Sequence, residues 1–117
     1  MLKATVLTTT EETAIVAARR WAAPVVAAVN VDDEYQVLTA VSDGLQYIPT
    51  FGDGESAVRY LLAVDAAEGM TPAALTLPWD AVFSMVTDGR FAGVAIVDAG
   101  RICPVLLDTL CRALQAN

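Results

Sequence analysis

The stretch Tyr35–Phe51, YQVLTAVSDGLQYIPTF, decides the fold class. Its first half alternates, with Tyr35, Val37, Thr39 and Val41 on one face, and its second half alternates through Leu45, Tyr47, Pro49 and Phe51. A strand that buries one face shows this period of two. Asp43-Gly44 lies between the halves. That pair tolerates the positive φ values of a two-residue type I′ turn, so the stretch reads as a β-hairpin. Pro49 has no N–H to give to a ladder, which places the later part of this strand at a sheet edge or a strand end.

Upstream, Val25–Val31 is a run of strand length, apolar but for Asn30, followed by the polar turn Asp32-Asp33-Glu34. Before it, Lys3–Leu7 suits a short strand, and Glu11–Ala22 carries a helical stripe of Ile15, Val16, Ala18 and Ala22 that Pro24 terminates. Downstream, Gly52-Asp53-Gly54 breaks the alternation and Glu55 opens a helix running to about Glu68, with Gly69 as its stop. Thr71–Thr76 fits either a helical turn or a short strand. Pro78 suits a first helical turn, and Trp79, Val82, Phe83 and Val86 recur on one helical face until Asp88-Gly89. Phe91–Val97 reads as a second buried strand that ends at Asp98-Ala99-Gly100. Pro104 then starts a final helix through Val105, Leu106, Leu107, Leu110, Cys111 and Leu114.

The sum is one domain over residues 1–117 of the α+β class. It predicts a mixed sheet of about four to five strands, containing the 35–51 hairpin, with helices packed on it. Hydrophobic residues make up 56% of the chain and charged residues 18%, a globular balance. The surplus is in Ala and Val, which pack closely and suit a subunit interface, so a homodimer is among the expectations.

Seven basic and fourteen acidic residues give a net charge of −7. Nucleic-acid binding needs a concentrated cationic footprint, and here Lys3 and the arginines are scattered. Nucleic acid is thus excluded as the expected partner, and a basic protein surface is compatible with the charge. No apolar run approaches the roughly 20 residues of a membrane span, and Met1–Thr10 lacks the pattern of a signal peptide, so the cytoplasm is the expected location.

There is no histidine, which removes the commonest general base, the usual catalytic triads and most zinc sites. Cys103 and Cys111 are the only cysteines. Placed together on the final helix they would lie about 12 Å apart, too far for a disulfide, and they read as buried thiols. Asp32, Asp33 and Glu34 form the densest acidic cluster, but without the alternation of a Ca²⁺ loop; a solvated turn accounts for them. Gly52-Asp53-Gly54 lacks the glycines and lysine of a phosphate loop, and its acids would repel phosphate. No catalytic residue, metal ligand or cofactor is expected. The residues expected to contact a partner are Tyr47, Phe51 and Trp79 as aromatic anchors, with Arg101 beside the last strand.

The segment Leu45–Phe51 followed by Gly52-Asp53-Gly54-Glu55-Ser56-Ala57, and later Leu77-Pro78-Trp79 with Gly93–Gly100, resembles SseB-like domains over residues 25–102. The departures are Asp98-Ala99-Gly100, where the family favours an Asn-Pro-Gly-like turn, and Gly52, where it favours threonine. The resemblance implies an α+β sheet module with no established catalytic residues. Together with the missing histidine it favours a non-enzymatic interaction module that uses a sheet edge or aromatic patch. The alternatives are an acidic immunity protein that neutralises a basic toxin, and a small-molecule-binding domain that uses carboxylates.

Overall fold

The computed structural model describes residues 7–8, 11–21, 23–63, 71–98 and 101–115. In chain order the elements are β1 (Leu7–Thr8), α1 (Glu11–Arg20), β2 (Val25–Val31), β3 (Glu34–Val37), β4 (Ala40–Ser42), β5 (Leu45–Phe51), α2 (Gly54–Ala63), β6 (Thr71–Thr76), α3 (Trp79–Asp88), β7 (Gly93–Asp98), β8 (Arg101–Leu106) and α4 (Leu107–Gln115). The fold is α+β, and the described residues form four helices on one mixed sheet. Among them the sheet has eight strands, the first spanning two residues, rather than four to five. Of the predicted strand Lys3–Leu7, residues 3–6 lie outside the described residues, as do the predicted end of α2 after Ala63 and the turn residues 99–100.

The extra strands come from three corrections. The expected hairpin over 35–51 keeps its Asp43-Gly44 turn, with φ of 51° and 78° and Ser42 opposite Leu45. Its first arm, however, breaks at Leu38-Thr39 into β3 and β4. β3 pairs with β2 through a second turn at Asp32-Asp33, whose φ values of 52° and 66° also fit type I′. β2 and β5 pair directly at Val25–Phe51 and Val26–Thr50 and then diverge. β3 and β4 fill that fork, one limb against each strand. The second correction is β6, the ambiguous Ala-rich segment, which pairs along β2 from Val25–Thr76 to Asn30–Thr71. The third is β8. Pro104 sits in this strand opposite Ala95, not in a helix, and α4 starts only at Leu107. β8 borders β1 at Arg101 and Ile102 alone, so Pro104 meets a described strand on one side only.

Pro49 is likewise not at an edge. β5 lies inside the sheet, parallel to β7 and antiparallel to β4 and β2. Gln46 O accepts from Ala92 N on the β7 side, so by strand alternation the Pro49 nitrogen faces the opposite side. There it falls in the fork, between the Ala40–Tyr47 pair and the Val26–Thr50 pair, where no ladder donor is required.

Alternation along the strands divides the core by face. Val26, Ile48, Val94, Ile96, Cys103 and Val105 meet Ala14 and Ala18 of α1, Val82 and Val86 of α3, and Leu110 of α4. Val25, Ala27 and Phe51 meet Ala57, Tyr60 and Leu61 of α2 on the other face. Three helices therefore cover one face and a single described helix covers the other, over β6, β2 and β5.

Candidate functional site

β5 and β7 are parallel neighbours, so their carboxyl ends open at the same end of the sheet. In open sheets with helices, ligands bind in the crevice beyond such ends. Here that crevice is a cleft of about 470 Å³, within the usual range for a binding pocket.

Its floor is Phe51 and Val97, adjacent on β5 and β7 and on the α2 face of the sheet. One wall is α2. Ser56, Arg59, Tyr60 and Ala63 follow at i, i+3, i+4 and i+7, so they form one stripe. Ala57 and Leu61, on the adjoining stripe, are fully buried and anchor the helix to the sheet. The lining is completed by the exposed Gly52, Asp53 and Asp98 and by Trp21. A Cβ on Gly52 would lie 2.6 Å from the Trp21 indole nitrogen, so the missing side chain is what lets the indole approach this strand end. The indole is backed by a run of rings. Trp21 stacks on Trp79 at 6.3 Å and 6°, and Trp79 on Phe83 at 5.8 Å and 26°.

Asp53 caps α2. Its Oδ1 accepts from Ser56 N at 2.7 Å. The bond from the Ser56 backbone, then that from its side chain, hold the Asp53 carboxyl below its ordinary value of 3.8, and Arg59 adds to this. Asp53 is therefore a carboxylate throughout the physiological range. Asp98 is exposed at the end of β7, opposite Arg101 on β8. Arg59 pairs with Glu55 at 2.5 Å, with both side chains more than 70% exposed, so the pair contributes about 0–1 kcal/mol. Tyr60 tilts against Phe51 at 5.3 Å and is 9% exposed. Its hydroxyl is buried with no hydrogen-bond partner among the described residues, and burial raises its pKa above the ordinary 10.0.

Of the residues expected to contact a partner, Phe51 is fully buried as the cleft floor, and Trp79 is partly buried in the stack behind Trp21. Arg101 is exposed beside Asp98. Tyr47 is buried, pairs with Ala40 and Gly93, and does not line the cleft. The other lining residues were not singled out as contacts from sequence. The usable signal was the Ser56, Arg59, Tyr60, Ala63 stripe next to a capped turn.

No family model, curated protein or solved structure matches this chain. The site's chemistry is therefore read from its own residues. Cys103 is in β8 and Cys111 in α4, both as free thiols. Burial, then Glu11, raises the Cys103 pKa; burial, then Asp108 and Asp80, raises that of Cys111. Both are thus held as thiols, the poorly nucleophilic form. Among the described residues no three acids or cysteines gather as a metal site, and Asp32, Asp33 and Glu34 are spread over an exposed turn. Among the same residues no helix is long and apolar enough to cross a membrane. What the cleft does offer is three aromatic residues, the carboxylates of Asp53 and Asp98, and the Arg59 guanidinium, which pairs with Glu55; the lining is left one charge negative, a setting suited to a cation.

Proposed function

We propose that this chain is a non-enzymatic recognition module that holds a protein partner by a cationic group seated in this cleft. The observation that carries the reading is the placement of Trp21, Phe51 and Tyr60 together with Asp53 and Asp98 around one opening. A cation over aromatic faces gains roughly 0.5–2 kcal/mol. Charge-assisted hydrogen bonds to carboxylates are stronger than neutral ones. The net charge of −7 also favours encounter with a basic surface. One group bound in this way has an affinity of order millimolar, which is the scale of one anchor within a larger interface.

The test is a titration of N-acetyl-lysine methylamide and its neutral isostere N-acetyl-norleucine methylamide, followed by amide chemical shifts and tryptophan fluorescence. The lysine probe should shift Gly52, Asp53 and Ser56 and saturate in the millimolar range. The norleucine probe should not. A double variant with Asp53→Asn and Asp98→Asn should lose the response while keeping α2, because asparagine caps a helix as well as aspartate does. An equal response to norleucine, or a response that survives in the double variant, would refute the reading.

A further inference from the structure

The margin of the sheet opposite β1 is β6, and among the described residues no strand pairs with its outer side. Two hydrogen bonds fix which way its backbone groups point. Leu77 N donates to Pro24 O at 3.1 Å, so by alternation Leu75 and Ala73 also turn their backbone groups toward β2. Ala27 O accepts from Leu38 N at 2.8 Å on the other side of β2, so Ala74, which lies opposite Ala27, is not bonded to it. Pro72, Ala74 and Thr76 therefore direct their carbonyls outward, and Ala74 and Thr76 their N–H groups as well. Pro72 sits where its missing N–H costs no bond to β2. Open edges are normally blunted by charge, and Thr71–Trp79 carries none. Over this edge lies one flank of α2. A Cβ on Gly54 would lie 3.4 Å from the Ala74 Cβ. Val58 and Leu62 follow at i+4 and i+8, on the flank turned away from the cleft stripe. Leu62 is 57% exposed.

We infer that the β6 edge pairs with the β6 edge of a second copy of this chain, joining two sheets into one about a two-fold axis. Antiparallel pairing centred on Ala74 is self-complementary. Ala74 N donates to the partner's Ala74 O, Thr76 N donates to the partner's Pro72 O, and the same two bonds recur in the opposite sense. Both outward N–H groups of each copy are then satisfied. Pro72 has no donor to return, so Thr76 O at the strand end stays with solvent. β5 and β6 are both antiparallel to β2, so α2, which joins them, runs back along β6 toward Thr71. The two-fold axis places the partner's Thr76 beside that half of the edge, where Val58 and Leu62 overhang it. Two copies of net charge −7 repel each other, and the strand on which they meet carries no carboxylate. One strand and one helix flank make a small interface, which suits a dimer that dissociates in the micromolar range.

The experiment is sedimentation equilibrium of the full chain. It should give twice the chain mass at about 200 µM and approach one chain mass at about 1 µM. Hydrogen exchange locates the contact: the Ala74 and Thr76 amides should exchange more slowly at the higher concentration. Thr76→Pro removes an outward donor without removing a bond to β2, and should weaken the dimer about tenfold or more. Leu62→Glu puts a charge on a side chain that is exposed in the single chain, and should weaken the dimer by a similar factor. Neither residue lines the cleft, so the response to N-acetyl-lysine methylamide should be the same in both variants. One chain mass at every concentration would overturn the inference. So would a dimer that leaves the Ala74 and Thr76 amides unprotected, or one whose dissociation constant is unchanged in Thr76→Pro. Should that variant fail to fold, an unchanged constant in Leu62→Glu overturns it instead. The cation reading stands or falls separately, by the lysine titration.

Discussion

Among the described residues the two faces of the sheet are covered by different numbers of helices. On one, α1, α3 and α4 lie over Val26, Ile48, Val94, Ile96 and Val105, and the Arg19 guanidinium ties α1 to α4 through the Ala113 carbonyl, at 3.2 Å from Nε and 2.6 Å from Nη2. That contact places a cation at the last turn of a helix, where it is favoured. On the other face the described cover is α2 alone, a ten-residue helix over β6, β2 and β5. The cleft opens beside α2, whose Tyr60 is among its lining residues. A layer packed from several sides supplies the rigid support. A layer packed from one side leaves room for a binding site.

The contrast can be broken most directly by equal deletions. Leu110 in α4 and Leu61 in α2 are both fully buried. Leu→Ala in a core costs about 2–5 kcal/mol, and the value depends on how far the surroundings settle into the void. Leu110 is held among several elements, so Leu110→Ala should fall near the top of that range, at about 4–5 kcal/mol. Leu61 lies under a helix free to settle toward the sheet, and Leu61→Ala should cost about 2–3 kcal/mol. Urea unfolding of both variants measures this. Equal costs would mean that the two faces are equally constrained.

The closed face was the more legible in sequence. Val25–Val31 appears as an apolar run because β2 is covered on both faces, and α3 as a helix because Trp79, Val82, Phe83 and Val86 share one stripe. Misreadings gathered where a local signal has two structural meanings. Proline is accepted both in a first helical turn and in a strand that lacks a neighbour on one side, and Pro104 takes the second place. Alternation across Leu38-Thr39 suggested one strand because polarity does not record which neighbour each half pairs with. The cleft was legible only in fragments. Gly52-Asp53-Gly54 was recognised as a turn before a helix, but Trp21 comes from the end of α1 and Val97-Asp98 from the end of β7. Their meeting depends on the parallel pairing of β5 with β7, a contact distant in sequence.

A smaller effect sharpens the contrast from the cleft side. Gly52→Ala places a methyl 2.6 Å from the Trp21 indole nitrogen. The indole must move, and with it the parallel stack on Trp79. The expected loss is about 1–3 kcal/mol, typical of overpacking. Near-ultraviolet circular dichroism should show a weakened signal from the coupled tryptophans, together with a loss of probe binding. An unchanged spectrum would mean that the indole position does not depend on Gly52.

The smallest effect tests whether the closed face can be changed without touching the cleft. α3 ends with Phe91 N donating to Val86 O at 2.9 Å and Arg90 N to Thr87 O at 3.3 Å, the paired bonds of a Schellman motif. In that motif the left-handed residue is usually glycine. Here Gly89 keeps right-handed backbone, with φ of −85°, and a Cβ on it would run into the Phe91 ring. The left-handed position falls instead on Arg90, with φ of 59°. A side chain there costs roughly 1–2 kcal/mol in backbone strain, partly offset by the greater freedom glycine has when unfolded. Arg90→Gly should therefore stabilise the chain by about 0.5–1 kcal/mol, read as a higher urea midpoint at constant slope. Arg90 is exposed and does not line the cleft, so the affinity for N-acetyl-lysine methylamide should stay as it was. A change in that affinity would mean that strain on the three-helix face reaches the carboxyl ends of β5 and β7, and that the two faces are coupled through the sheet.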